Sequence, residues 1–133
     1  METGGMKGRK KEIIREELHD RLCKGLNAEK IHSEYGMTEL LSQAYSTGNG
    51  RFYSPPWMQL RVADMYDPLS ELPHGQSGLL KVVDLANIYS CSFILTADIG
   101  KRHQDNSFEV LGRKDESDIR GCNLMVSHLQ GRD

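Results

Sequence analysis

The stretch MQLRVADMYD, residues 58–67, alternates in character: Met58, Leu60 and Val62 fall on one face, Gln59 and Arg61 on the other. A period of two marks a half-buried strand, because successive side chains leave a pleated backbone on opposite faces. Downstream, LLKVVDLAN (79–87) and CSFILTADIG (91–100) are two further apolar strand patterns, reached through the loop DPLSELPHGQSG (67–78) with its two prolines. DNSFEVLGRKD (105–115) predicts a hairpin, with Asp105-Asn106 at the turn and Phe108 and Val110 on one face. Upstream, STGNG (46–50) is a strong turn signal, and RFYSPPW (51–57) leads into the first strand. AEKIHSEYG (28–36) predicts a short strand entering a loop. TELLSQAY (38–45) fits a helical turn or an irregular segment, and the tail SDIRGCNLMVSHLQ (117–130) a strand or a short helix.

Residues 9–24 have a different period. Ile14, Leu18 and Leu22 recur every four residues with Ile13 beside them, which gives one apolar stripe along a helix. Glu17 and Arg21 form a favourably oriented i,i+4 pair, and Gly25 is placed to cap the helix C-terminus. The expected fold is α+β within a single domain over 1–133. One long helix and short strands come first, followed by a mostly antiparallel, β-rich part from about 51 to 113.

With 133 residues, 38% of them hydrophobic, the chain can bury one core. A net charge of −2 argues against a nucleic-acid binder, which carries a basic face. The one basic run, Lys7 to Lys11, is followed by Glu12, Glu16 and Glu17 and reads as a solvated helix start. Cys23, Cys91 and Cys122 are far apart and contain no CxxC, against a disulfide framework or a zinc site; reduced thiols suggest a cytoplasmic protein. No apolar run approaches the roughly 20 residues of a membrane span. No signal peptide or internal repeat is visible.

Four short stretches carry the chemistry: ETGG (2–5), YGMTE (35–39), TADIG (96–100) and FEVLGR (108–113). Each is weak alone; in this order they are specific. Together with HSEYGMTELLSQAY (32–45), PPWM (55–58), DLANIYSCSFILTADIG (84–100) and FEVLGRKDESDIRGCNLMV (108–126), the chain resembles the adenylate-forming, AMP-binding superfamily. Within it, the resemblance is strongest to the acyl-protein synthetase family, the fatty-acid-activating component of the bacterial luciferase fatty acid reductase system. It is weaker to phenylacetate–coenzyme A ligases. The likeness covers nearly the whole chain but lacks that family's Ser/Thr/Gly-rich phosphate loop, so it implies the C-terminal fragment of an adenylate-forming enzyme.

The resemblance implies an ATP- and Mg²⁺-dependent ligase that converts a fatty acid or other carboxylic acid into acyl-AMP. The acyl group then passes to a cysteine thioester and on to a reductase. A fragment of this kind is expected to be inactive alone and to need a missing N-terminal half or partner chain. Its uncovered apolar face favours a homodimer. Gly4 and Gly5 would let backbone lie against adenine. Tyr35 would stack on the base, with Gly36 keeping the turn tight. Thr38 would reach an α-phosphate oxygen, and Glu39 would be the metal ligand, a hard oxygen suited to Mg²⁺. Asp98 would accept from the ribose hydroxyls, and Arg113 would offset phosphate charge. Cys122 would be the acyl acceptor, with Arg120 lowering its pKa; no base is visible beside it in sequence, and His128, six residues along, would serve as one only if the tail bends back.

Each residue also has a bland reading. Tyr35 serves as core, Glu39 as a first-turn helix carboxylate, Asp98 as a turn residue, Arg113 as a surface charge and Cys122 as an inert buried thiol. His32, Cys23 and Cys91 read as structural, the last in a strand, and Trp57 as a packing anchor after Pro55-Pro56. Two other functions fit the same motifs. One is an acyl- or aryl-coenzyme A ligase with a soluble thiol acceptor. The other is a non-catalytic binding module or the second half of a split ligase.

Overall fold

The computed structural model describes residues 1–3 and 15–114. The chain runs β1 (Glu2–Thr3), α1 (Arg15–Leu26), β2 (Ser33–Tyr35), β3 (Ala44–Ser46), β4 (Arg51–Tyr53), β5 (Met58–Ala63), β6 (Ser77–Asp84), a 3-10 turn (Leu85–Asn87), β7 (Phe93–Arg102) and β8 (Phe108–Arg113). The strands form one eight-stranded sheet in the order β1-β2-β3-β4-β8-β7-β6-β5. Among the described residues only β1 and β2 pair in parallel, Glu2 opposite Ser33; the other pairings are antiparallel.

The α+β expectation therefore becomes a mixed sheet with one short helix. Strand pairing begins well before residue 51, and within the described residues the helix is twelve residues long. It also passes through Gly25, so that residue is not the cap. Asn27 takes the left-handed conformation at φ 51°, and the Ala28 amide donates to the Cys23 carbonyl at 3.0 Å, the 6→1 bond of a Schellman ending. Asparagine tolerates this conformation because its short polar side chain compensates locally. The predicted Glu17–Arg21 pair forms at 2.5 Å and is joined by Asp20–Lys24 at 2.6 Å.

No residue of α1 is buried among the described residues. Leu18 and Leu22 of the predicted stripe are half-buried, and polar groups also tie the helix to the sheet. His19 Nε2 lies 3.1 Å from Glu2 Oε1 in β1 and 3.1 Å from Ser33 Oγ in β2, and the Arg15 guanidinium sits 4.9 Å from the centroid of the Phe52 ring. The core is on one face of the sheet, built from Tyr35, Leu40, Ala44, Phe52, Met58, Leu60, Val62, Leu80, Val82 and Phe108. The alternation that predicted β5 holds: Met58, Leu60 and Val62 are all buried. In the β7–β8 hairpin Asn106 adopts φ 64°, Phe108 is buried, and Val110 packs against the core. No helix among the described residues is long and apolar enough to cross a membrane.

Candidate functional site

Tyr35 ends β2, and its hydroxyl donates to Asp98 Oδ2 at 2.9 Å, joining YGMTE to TADIG across the sheet. Asp98 lies in β7 directly opposite Arg113 of β8. Three of the motif residues thus converge on one side. Asp98 is further fixed by Thr96, whose hydroxyl accepts from the Asp98 amide at 3.1 Å and donates to the Leu80 carbonyl at 2.9 Å.

The Tyr35 ring is not an open platform. It is 8% exposed and packs edge-on against Phe52 and Phe108, at centroid distances of 6.1 and 5.4 Å. Burial pushes its phenol well above the ordinary value; the negative charge and hydrogen bond of Asp98 push it further the same way, and Thr96 and Arg113 oppose them. Tyr35 is therefore a neutral donor at physiological pH. In this structure it offers Asp98 a hydroxyl rather than offering a base its ring face.

Thr38 and Glu39 occupy the two corners of a turn closed by the Leu40 amide donating to the Met37 carbonyl at 3.0 Å. Leu40 is buried and Met37 is packed against the core, so the feet of the turn are anchored while both corner residues are exposed. Gly36 is not in a positive-φ conformation, and a Cβ there would meet chiefly the flexible Gln43 side chain at 3.2 Å, so the turn does not depend on glycine. No group of three or more His, Cys, Asp or Glu among the described residues could hold a metal. A single exposed carboxylate at Glu39 still suits Mg²⁺, which keeps several waters and takes other oxygens from a phosphate.

Three residues beside this turn, Asp84, Asn87 and Ser42, were missed by motif reading. Asp84, at the end of β6, is fully buried and caps the 3-10 turn. Its Oδ2 accepts from the Leu41 and Ser42 amides at 3.0 and 2.9 Å, and its Oδ1 from the Ser42 hydroxyl and the Ala86 amide at 2.7 and 3.1 Å. Asn87 Nδ2 donates to the Glu39 carbonyl at 2.8 Å and the Cys91 carbonyl at 3.0 Å. Trp57 is half-exposed, not a packing anchor, and donates through Nε1 to the Ser42 hydroxyl at 2.9 Å. The available signal was DLAN (84–87), an Asp at a strand end with the spacing of a capping residue. Trp57, Ser42, Leu41, Tyr45 and Tyr53 line an open groove of about 570 Å³ beside the turn.

His32 is exposed, its carbonyl accepting from the Glu2 amide at 2.8 Å. Cys91 is exposed and outside any strand, and Cys23 is half-buried on α1. Gly4, Gly5, Arg120, Cys122 and His128 lie outside the described residues.

The Tyr35–Asp98 bond thus joins the end of β2 to the middle of β7, on the same sheet that carries the exposed Thr38–Glu39 turn. The fold is that of the luciferase-like enzyme from the nonluminescent Zophobas morio mealworm, with TM-score 0.52, 19% identity, and coverage of 75% of this chain and 29% of that one. It is also that of a benzoate CoA ligase from Burkholderia xenovorans LB400, with TM-score 0.51, 19% identity, and coverage of 74% and 24%. The family model "Acyl-protein synthetase, LuxE" matches residues 1–130, and the chain belongs to that family. A curated relative, the long-chain-fatty-acid–luciferin-component ligase of Vibrio harveyi, is 28% identical over 136 residues. That match covers 94% of this chain, and the chain spans 36% of the relative's length.

Proposed function

We propose that the chain is the C-terminal portion, as one domain over 1–133, of a cytoplasmic ATP-dependent acyl-activating ligase. A fatty-acid carboxylate attacks the α-phosphorus of ATP, forming acyl-AMP and releasing pyrophosphate. A thiolate at Cys122 then attacks the acyl carbonyl, forming a thioester and releasing AMP. The thioester is passed to an acyl-accepting reductase, and the remainder of the activating site comes from a complementary upstream half.

The observation that carries this reading is the Tyr35–Asp98 bond, with Arg113 facing Asp98 across β7–β8. It gathers three of the motif residues whose order suggested a nucleotide. Asp98 holds the ribose hydroxyls, Thr38 donates to an α-phosphate oxygen, and Arg113 offsets the charge that grows on the leaving pyrophosphate. Glu39 would hold Mg²⁺, which supplies charge neutralisation of the phosphates when bound. By their motifs Gly4, Gly5 and Gly36 are assigned to binding the same adenylate, since glycine lets backbone approach adenine, and Tyr35 is assigned to its support.

Two measurements on the chain test this. Titration with Mg²⁺ and AMP, followed by amide NMR, is expected to move resonances at 35–39, 98 and 113 together; shifts confined elsewhere would remove the nucleotide site. Chemically prepared tetradecanoyl adenylate bypasses the activation step. It is expected to leave hydroxylamine-labile label on the wild type and little on Cys122→Ser, because a serine hydroxyl without a dedicated base is a far poorer nucleophile. Equal labelling of the two would move the thiol role to a soluble acceptor such as coenzyme A.

A further inference from the structure

We propose that Asp84 and Asn87 form a clamp that positions the Thr38–Glu39 turn for phosphate and its metal, a role that rests on the nucleotide reading above. The turn's corner residues are exposed and contribute no side-chain packing of their own, so their placement is decided by what holds the backbone on either side. On the C-terminal side the clamp is a carboxylate. One oxygen of Asp84 takes the two consecutive amides of Leu41 and Ser42, and the other takes the Ser42 hydroxyl. At the corner itself the Asn87 amide group takes the Glu39 carbonyl. Both residues stand on one rigid unit, because Asp84 also accepts from the Ala86 amide that opens the 3-10 turn containing Asn87.

The geometry is specific to these side chains. Charge-assisted acceptance by a carboxylate is stronger than by a neutral oxygen, and consecutive amides fix the direction of the chain as well as its distance. An amide at position 84 would present a donor to donors. The clamp is thus a link between β6 and the turn: it touches neither nucleotide nor metal and acts through the backbone of residues 39–42. Trp57 caps it from outside through Ser42, and as the sequence's one tryptophan it is a clean optical reporter.

The test compares wild type with Asp84→Asn, Asn87→Ala and, as a control at the residue just after the 3-10 turn, Ile88→Ala, whose side chain is exposed. Three quantities are read on the whole chain: hydrogen exchange of the Leu41 and Ser42 amides, Trp57 emission, and broadening of the Thr38 and Glu39 resonances by Mn²⁺ with ATP. In Asp84→Asn, exchange at 41 and 42 is expected to rise roughly tenfold or more, with Trp57 emission altered and Mn²⁺ broadening at 38 and 39 reduced. Asn87→Ala is expected to reduce the broadening while the amides at 41 and 42 stay protected, and it serves if Asp84→Asn does not fold. A purely structural role would lower thermal stability and leave broadening in the folded protein intact; that result, or unchanged exchange, overturns the clamp. Absence of broadening in wild type, with the exchange effect present, instead overturns the nucleotide reading and with it the purpose assigned to the clamp.

Discussion

The Tyr35 hydroxyl and the Asp98 carboxylate, 2.9 Å apart, belong to strands on opposite sides of the β4–β8 pairing, and their bond fixes the geometry of the candidate nucleotide cleft. Tyr35→Phe separates the two roles an aromatic can have here. The ring stays within the Phe52–Phe108 cluster and only the donor is lost. AMP affinity is expected to fall by about tenfold to a hundredfold, the order of one hydrogen bond to a charged group. Discrimination against 2′- and 3′-deoxy analogues should fall with it. Calorimetric titration of wild type and variant with AMP and with each deoxy analogue reads this; an unchanged affinity and unchanged discrimination would return Tyr35 to being plain core.

Acid stability should report Asp84. Burial pushes its carboxyl up, but its hydrogen bonds to Ser42, Ala86 and Leu41 together outweigh that and hold it below the usual carboxylate range. The folded state therefore binds fewer protons than the unfolded chain. The stabilisation is fully present above the unfolded value of about 3.9 and is lost as pH falls through the folded value. Asp84→Asn is expected to cost roughly 2–3 kcal/mol near neutrality by leaving buried groups mispaired, with the gap to wild type narrowing below about pH 4. Urea unfolding at a series of pH values measures it. A gap that stays constant down to about pH 3 would show that the carboxylate's charge is not what holds the loop.

The end of α1 offers two stabilising changes. Gly25 is helical, and a Cβ there would meet nothing within 4 Å. Gly25→Ala should raise stability by roughly 0.5–1 kcal/mol through helix propensity. Asn27→Gly should also stabilise, by relieving the left-handed conformation at φ 51°. Thermal denaturation of the two single variants and the double variant is the check. A loss of stability in Gly25→Ala would mean that the helix does not persist through that residue in solution.

Gly78→Ala should do the opposite. A Cβ at Gly78 would lie 2.2 Å from the Ala63 carbonyl oxygen, backbone that cannot rotate away. Separation of β5 from β6 is expected to cost about 1–3 kcal/mol. Gly112→Ala, where nothing lies within 4 Å, is the matched control and should stay within about 0.5 kcal/mol of wild type. Equal behaviour of the two would place the β5–β6 contact elsewhere than described.

Local pattern made β5, β6, β7 and the β7–β8 hairpin legible, since each is long enough for its period to show. β2 falls within the short strand expected over 28–36, but β3 and β4, like it, are three residues each, too short for a period, and their pairing is decided by contacts with one another. Gly25 misled as a helix end because a glycine signal is strongest at the position after the last helical residue, and here asparagine took that place. For the site, motif order pointed to Tyr35, Thr38, Glu39, Asp98 and Arg113, three of which meet. For Asp84 and Asn87 the sequence offered only the capping pattern of DLAN; that they hold Glu39, Leu41 and Ser42 was not legible, because those partners are more than forty residues away in the chain and are reached largely through backbone groups, which carry no sequence signature.

The short pairing of β4 with β8, Phe52 opposite Phe108, closes a long excursion of the chain through β5, β6 and β7. Bringing such distant segments together costs loop-closure entropy before any contact repays it. The β5–β8 meander and the β2–β4 ribbon can each form from neighbouring residues, so this junction should be the slow, late event of folding. Tyr35 stands on one side of it, Asp98 and Arg113 on the other. A nucleotide spanning those residues would bind only after the junction has closed and would slow its reopening, so ligand should lengthen the lifetime of the folded state more than it speeds its formation.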